Sequence, residues 1–155
     1  EISNAGIPLI KPDRFIDAYS TRNERLADLM RRLGFCEEKG SGYDKVISGI
    51  EFYQLPPFNI SITANRTTVS LYRYKKLSEM DKNDRVRACY QHACLRYVSN
   101  EKMTNQSLRE RFSISEKNYT TATRIINDTM AAGLIKIDNP ENNSRKFIGY
   151  IPYWA

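Results

Sequence analysis

The stretch Thr104–Gly133, TNQSLRERFSISEKNYTTATRIINDTMAAG, decides how this 155-residue chain is read. Thr104 is a good N-cap, because its side-chain oxygen can accept from a free N–H of the first turn. Leu108 and Phe112 follow four apart on one face of a short helix. Ser113-Ile114-Ser115 offers the backbone competing hydrogen bonds and breaks that helix, and Ser115 can cap the next. In the second helix Ala122, Ile125, Ile126, Thr129 and Met130 share a face, and Gly133 supplies the stop. The opposite face carries Lys117, Thr120, Arg124 and Asn127, with Thr121 beside them. A helix that is apolar inward and basic-polar outward suits the major groove of double-stranded DNA.

Behind this stretch, Leu134, Ile135 and Ile137 predict a short strand, DNPENNSR is turn chemistry, and KFIGYIPYW returns as a second strand. Upstream, Val86, Cys89, Tyr90, Ala93, Cys94 and Tyr97 recur at helical spacing from Asp84 onward. Helix, helix, turn, longer helix and basic-tipped hairpin together resemble a winged helix-turn-helix domain. Compared with common regulators of that family, the segment from Ser115 to Gly133 is about one helical turn too long. Either the helix is extended at its start or EKNY is an irregular lead-in. The resemblance implies base contacts from Lys117, Thr120, Thr121, Arg124 and Asn127, and phosphate contacts from Arg145 and Lys146 on the wing. A winged helix also serves as a protein-assembly module, and that is the alternative to DNA.

Net charge is +6, and the basic excess lies mostly after Met80, where 12 basic residues face 8 acidic ones. That balance is compatible with nucleic acid and equally with a solvated basic surface. No apolar run is long enough to span a membrane, which predicts a cytoplasmic protein with no membrane partner. Three cysteines, an odd count, suggest reduced thiols in that compartment. The opening Glu1-Ile2-Ser3 lacks Met and predicts a piece of a longer protein, through which a homo-oligomer could form.

In the first half, EISNAGIP is a short apolar strand leading into a turn. TRNERLADLMRRLG is an amphipathic helix, with Thr21 and Glu24 as a capping box and Leu26, Leu29, Met30 and Leu33 as the buried stripe. EEKGSGYDKV turns on glycine into a second helix that directs Val46, Ile47, Ile50 and Tyr43 inward and stops at Pro56-Pro57. FNISITANRTTVSLYRY alternates at Phe58, Ile60 and Ile62, turns near Asn65, and resumes at Val69 and Leu71, as a β-hairpin does. The polar run KKLSEMDKNDR is the natural linker. The expected fold class is α+β, a small α/β subdomain over 1–78 followed by the winged helix over 79–155.

Gly40, Ser41 and Gly42 form the phrase most suggestive of a ligand in this half, since glycine lets a backbone approach an anion at a helix start. The same three residues are also how a chain turns tightly into a helix. ISNAGIP, TRNERLADLMRRLG, EEKGSGYDKV and TTVSLYR are together similar to the C-terminal part of the GHKL-type ATPase-like domain of bacterial RecG-related ATP-dependent DNA helicases and Schlafen AlbA-type regulators. That resemblance places Asn4 and Gly6 at a first glycine box, with Gly40 and Gly42 at a second. It implies ATP with magnesium as a ligand of the full-length protein. The departures are the Asp that reads adenine, absent from SNAG, and the earlier helix bearing the catalytic Glu and the metal-holding Asn. No ATP hydrolysis is therefore expected of this chain by itself, and no cofactor is assigned to it. The functional expectation is a DNA-binding region of a bacterial transcriptional regulator or RecG-related protein, with part of an ATP-dependent DNA-processing enzyme as the alternative.

CYQHAC brings Cys89, His92 and Cys94 close in sequence, but at i, i+3 and i+5 they diverge around a helix and no fourth ligand follows. Buried thiols and a partly exposed His92 are the expectation, with no Ser or Cys partner at a motif spacing. Tyr90, Tyr97, Tyr150, Tyr153 and Trp154 are expected to pack rather than stack on bases.

Overall fold

The computed structural model describes residues 1–36, 41–139 and 148–155. It is mixed α+β, and the chain divides into two compact units: Glu1–Val46 with Phe58–Leu71, and Ile47–Pro57 with Tyr72–Ala155.

In the first unit, β1 (Ile2–Ala5), β2 (Asn59–Thr63) and β3 (Arg66–Ser70) form an antiparallel sheet of order β1-β3-β2. The hairpin expected from the alternation is therefore present, and β1 adds to its far edge. Gly6 ends β1 at φ +99°, a conformation open to glycine, and its N–H donates to the Asn65 carbonyl at 2.7 Å. Phe15, Tyr43 and Phe58 pack edge-to-face in a row, with centroids 5.9 and 5.1 Å apart. Ile60 is half-buried, whereas Ile62, expected on the same buried face, is exposed near the hairpin tip.

Helix α1 (Glu24–Arg32) corrects two expectations. Its N-cap is Asn23, whose side chain accepts from the Leu26 N–H at 3.0 Å, so Thr21 and Glu24 are not its capping box. Its stripe is also not buried: Leu26, Leu29 and Leu33 are 52%, 52% and 60% exposed, and Met30 is exposed too. Periodicity makes the face, but no described element of the unit covers it.

Helix α2 (Ser41–Phe52) begins in the first unit and ends in the second. Ile47 and Ile50 are buried as expected, while Val46 is exposed. Gln54 then takes a left-handed turn at φ 52°, and Pro56 and Pro57 are buried.

The rest of the second unit runs α3 (Lys82–Val98), α4 (Asn105–Arg111), α5 (Tyr119–Ala131), β4 (Ile135–Ile137) and β5 (Tyr150–Pro152). Asp81 caps α3 by accepting from the Asp84 N–H at 2.7 Å, so the helix starts before the Asp84 expected from the pattern. Thr104 and Ser107 form a reciprocal capping box on α4. Ser113 reverses the chain at φ 51°. Glu116–Asn118 is a 3-10 turn ahead of α5, so EKNY is largely an irregular lead-in, and Ser115 makes no side-chain cap bond. After α5, Gly133 sits at φ +70° and the Leu134 N–H reaches back to the Thr129 carbonyl at 3.2 Å, closing the helix as a left-handed C-cap does.

Strands β4 and β5 pair antiparallel, with Ile135 opposite Pro152 and Ile137 opposite Tyr150. Met103, between α3 and α4, bridges Tyr150 along the other edge of β5. The core is Ala88, Cys89, Ala93, Met103, Leu108, Ala122, Ile125, Ile126, Ile135 and Ile151. Met130, expected inward, is half-buried. The aromatics pack as expected: Trp154 donates its Nε1–H to the Tyr90 hydroxyl at 3.0 Å and meets Tyr97 edge-to-face.

Candidate nucleic-acid interface

Helix α5 is two-sided. Ala122, Ile125, Ile126 and Thr129 are buried, and the Thr129 hydroxyl donates to the Ile125 carbonyl at 2.7 Å, which satisfies it inside the core. On the outer side Thr120, Arg124 and Asn127 are exposed, Thr121 is half-buried, and Lys117 is exposed on the 3-10 turn before the helix. These five side chains have no hydrogen-bond or ionic partner among the described residues, so their donors face solvent. Arg145 and Lys146 lie outside the described residues.

The α4 end is fixed against α5 by side chains. Asn105 Nδ2 donates to Thr123 Oγ1 at 3.0 Å and to the Tyr119 carbonyl at 3.3 Å, tying the first turn of one helix to the first turn of the other. Thr123 and Tyr119 are thereby committed to the helix pair.

Beneath α4 lies a polar cluster that the sequence did not disclose. His92, on α3, is 2% exposed, against the partial exposure expected of it. Its Nδ1 lies 3.0 Å from both carboxylate oxygens of Glu51, and its Nε2 lies 3.0 Å from Ser107 Oγ. Both ring nitrogens being satisfied is what permits the burial. Glu51 also faces the buried Arg111, whose Nη2 donates to the Leu55 carbonyl at 2.6 Å. Burial lowers the Arg111 pKa from its ordinary value, and the charge of Glu51 opposes that shift.

Serine, histidine and carboxylate in that order are the arrangement of acyl-transfer triads. Here the serine is 8% exposed, and its hydroxyl already accepts from the Thr104 N–H at 3.0 Å as part of the α4 cap. The cluster therefore reads as a clamp between α3, α4 and the segment through Glu51 and Leu55. Glu51 is 41 residues from His92, and no spacing rule reaches that far.

Cys89 is fully buried, with Sγ 3.7 Å from the Met103 sulfur, and burial pushes its thiol up to about 12. No group of three His, Cys, Asp or Glu side chains able to hold a metal occurs among the described residues. No helix there is long and apolar enough to cross a membrane.

In the first unit, Asn4 pairs with Thr67 within the sheet, and Gly6 follows at the strand end. Gly40 lies outside the described residues, and Ser41 and Gly42 open α2. Gly42 is helical, and a Cβ there would meet nothing within 4 Å, so no contact among the described residues requires glycine at that place. A cavity of about 370 Å³ in this unit is walled mainly by Leu9, Phe15, Tyr19, Arg22 and Tyr43, and contains neither Asn4, Gly6 nor Gly42.

Residues 1–71 match the family model described as "Putative ATP-dependent DNA helicase recG C-terminal". The match takes in the first unit and Ile47–Pro57 of the second, and makes that stretch similar to this RecG-related family. Comparison with curated proteins and with solved structures found no match.

Proposed function

We propose that the second unit is a winged helix that binds double-stranded DNA, within a bacterial, cytoplasmic transcriptional regulator or RecG-related protein. The observation that carries this reading is the outer row of α5 and its lead-in, Lys117, Thr120, Arg124 and Asn127, without a partner among the described residues on a helix whose other side is buried. The order α3, Met103 bridge, α4, α5, β4, β5 supports it, because a two-stranded hairpin after the long helix is what forms a wing. Helix α5 enters the major groove, where Lys117, Thr120, Thr121, Arg124 and Asn127 reach base edges. Arg145 and Lys146, between β4 and β5 in sequence, supply phosphate contacts.

The test is titration of labelled duplex at two salt concentrations. Duplex binding that weakens steeply with salt is expected. Arg145→Ala with Lys146→Ala should flatten the log–log slope by about 0.9 for each phosphate that is no longer neutralised. If no duplex binds even at low salt, the DNA reading fails and an assembly module takes its place.

The family match favours a second reading, part of an ATP-dependent DNA-processing protein, with ATP and magnesium bound in the full-length molecule near Asn4, Gly6 and the residues Gly40, Ser41 and Gly42. Turnover of ATP by this purified chain above buffer would support that reading over ours.

A further inference from the structure

Helices α3 and α5 flank an open pocket of about 250 Å³ lined by Lys82, Arg85, Val86, Arg124, Ile125 and Asp128. Lys82 and Arg85 stand three apart on one face of the first turn of α3, and Arg124 and Asp128 stand four apart on α5. Val86 and Ile125 make an apolar base between them. Three cations therefore face one carboxylate. Asp128 is already taken by Lys82, with Nζ 2.9 Å from Oδ1. Two guanidiniums are left over. Arg124 has no partner among the described residues, and Arg85 Nε is buried without a hydrogen-bond acceptor.

A guanidinium pair lining one pocket presents its remaining donors in the fork that phosphate oxygens accept. The opening beside α4 offers a contrast. Its walls, Gln106, Arg109, Glu110, Ser113, Ile114 and Glu116, set two carboxylates against one guanidinium, which repels an anion.

We propose that the α3–α5 pocket is a seat for one backbone phosphate of duplex DNA, gripped jointly by Arg85 and Arg124. Arg124 is thereby moved from the base-reading group to the positioning group, and α3, outside the helix-turn-helix pair, becomes part of the DNA surface. The inference rests on the DNA reading above and adds where one phosphate is held. Asp128 trims the field of the seat, because its carboxylate faces the same pocket.

The experiment titrates a random-sequence duplex pool with wild type, Arg85→Gln, Arg124→Gln, the double variant and Asp128→Asn, each checked by thermal melt. Each glutamine variant should weaken pool binding on the order of tenfold at low salt. The double variant should lower the salt slope by about 0.9, the value for one shared phosphate, where two separate phosphates would lower it by about 1.8. Asp128→Asn should tighten binding severalfold, because it removes a negative charge facing the phosphate. Wild type that binds the pool while both glutamine variants bind equally well overturns the seat and leaves the DNA reading standing. Wild type that binds nothing overturns both. A melt in inorganic phosphate at constant ionic strength separates the sources. A rise in Tm that Arg85→Gln abolishes, with duplex binding unchanged, would assign the seat to free phosphate and overturn the proposal.

Discussion

Helix α1 and the α4–α5 pair both carry apolar faces in sequence, and they end in opposite states. In the second unit Leu108 and Ala122 are 0% exposed, whereas in the first unit Leu26, Leu29, Met30 and Leu33 stay exposed on α1. The arithmetic of periodicity is the same for both. The difference is that α4 and α5 have each other, α3 and the β4–β5 hairpin to bury against, while no described element of the first unit lies over the stripe. An amphipathic pattern therefore says that a helix owns a face to bury, and not that the chain supplies what buries it.

The sharpest way to break this contrast is a pair of matched truncations followed by denaturant unfolding. Leu108→Ala should destabilise the second unit by about 2–5 kcal/mol, as a large-to-small change in a closed core does. Leu29→Ala should stay within about 0.5 kcal/mol, as exposed substitutions do. A loss at Leu29 as large as that at Leu108 would mean that the α1 stripe is covered in solution, and the comparison would collapse.

A smaller effect is expected in the clamp. Glu51→Ala leaves His92 and Arg111 without their carboxylate and should cost about 2–3 kcal/mol, somewhat under a fully buried pair because Glu51 keeps 17% side-chain exposure. Glu51→Gln keeps an acceptor for His92 but not the charge for Arg111, and should fall between wild type and alanine. Equal melting of all three proteins would show that the cluster holds nothing together.

The smallest effect belongs to the first unit. Gly42→Ala should stabilise the protein by about 0.5 kcal/mol, since the residue is helical and the added Cβ meets open space. A destabilisation there would show that something outside the described residues needs the glycine.

How much is legible in the chain follows from the range of each signal. The Thr104 cap, the break at Ser113, the Gly133 stop and, apart from Met130, the buried row of α5 match their sequence pattern, because each is set within about two helical turns of itself. The hairpin over β2 and β3 is legible for the same reason, although the pairing of β1 with β3 is not. One departure is local, since Asn23 rather than Thr21 caps α1, while Val46 and Ile62 fall outside the apolar faces expected for them, where a second element decides. His92 is the clearest case, since its burial depends on Glu51 and Ser107 arriving from distant parts of the chain. Lys82 and Arg85 are hidden in what looks like a polar linker and a plain helix turn, although their spacing of three marks one basic face.

The α+β content, the helical phases and the outward row of Thr120, Arg124 and Asn127 follow from the order of residues alone, because side-chain direction in a helix is set by backbone geometry. Which apolar faces close, that His92 is a buried clamp, and that Arg124 shares a pocket with Arg85 emerge only once the elements have packed. Those outcomes depend on desolvation and on partners tens of residues away. A one-dimensional pattern carries no term for either.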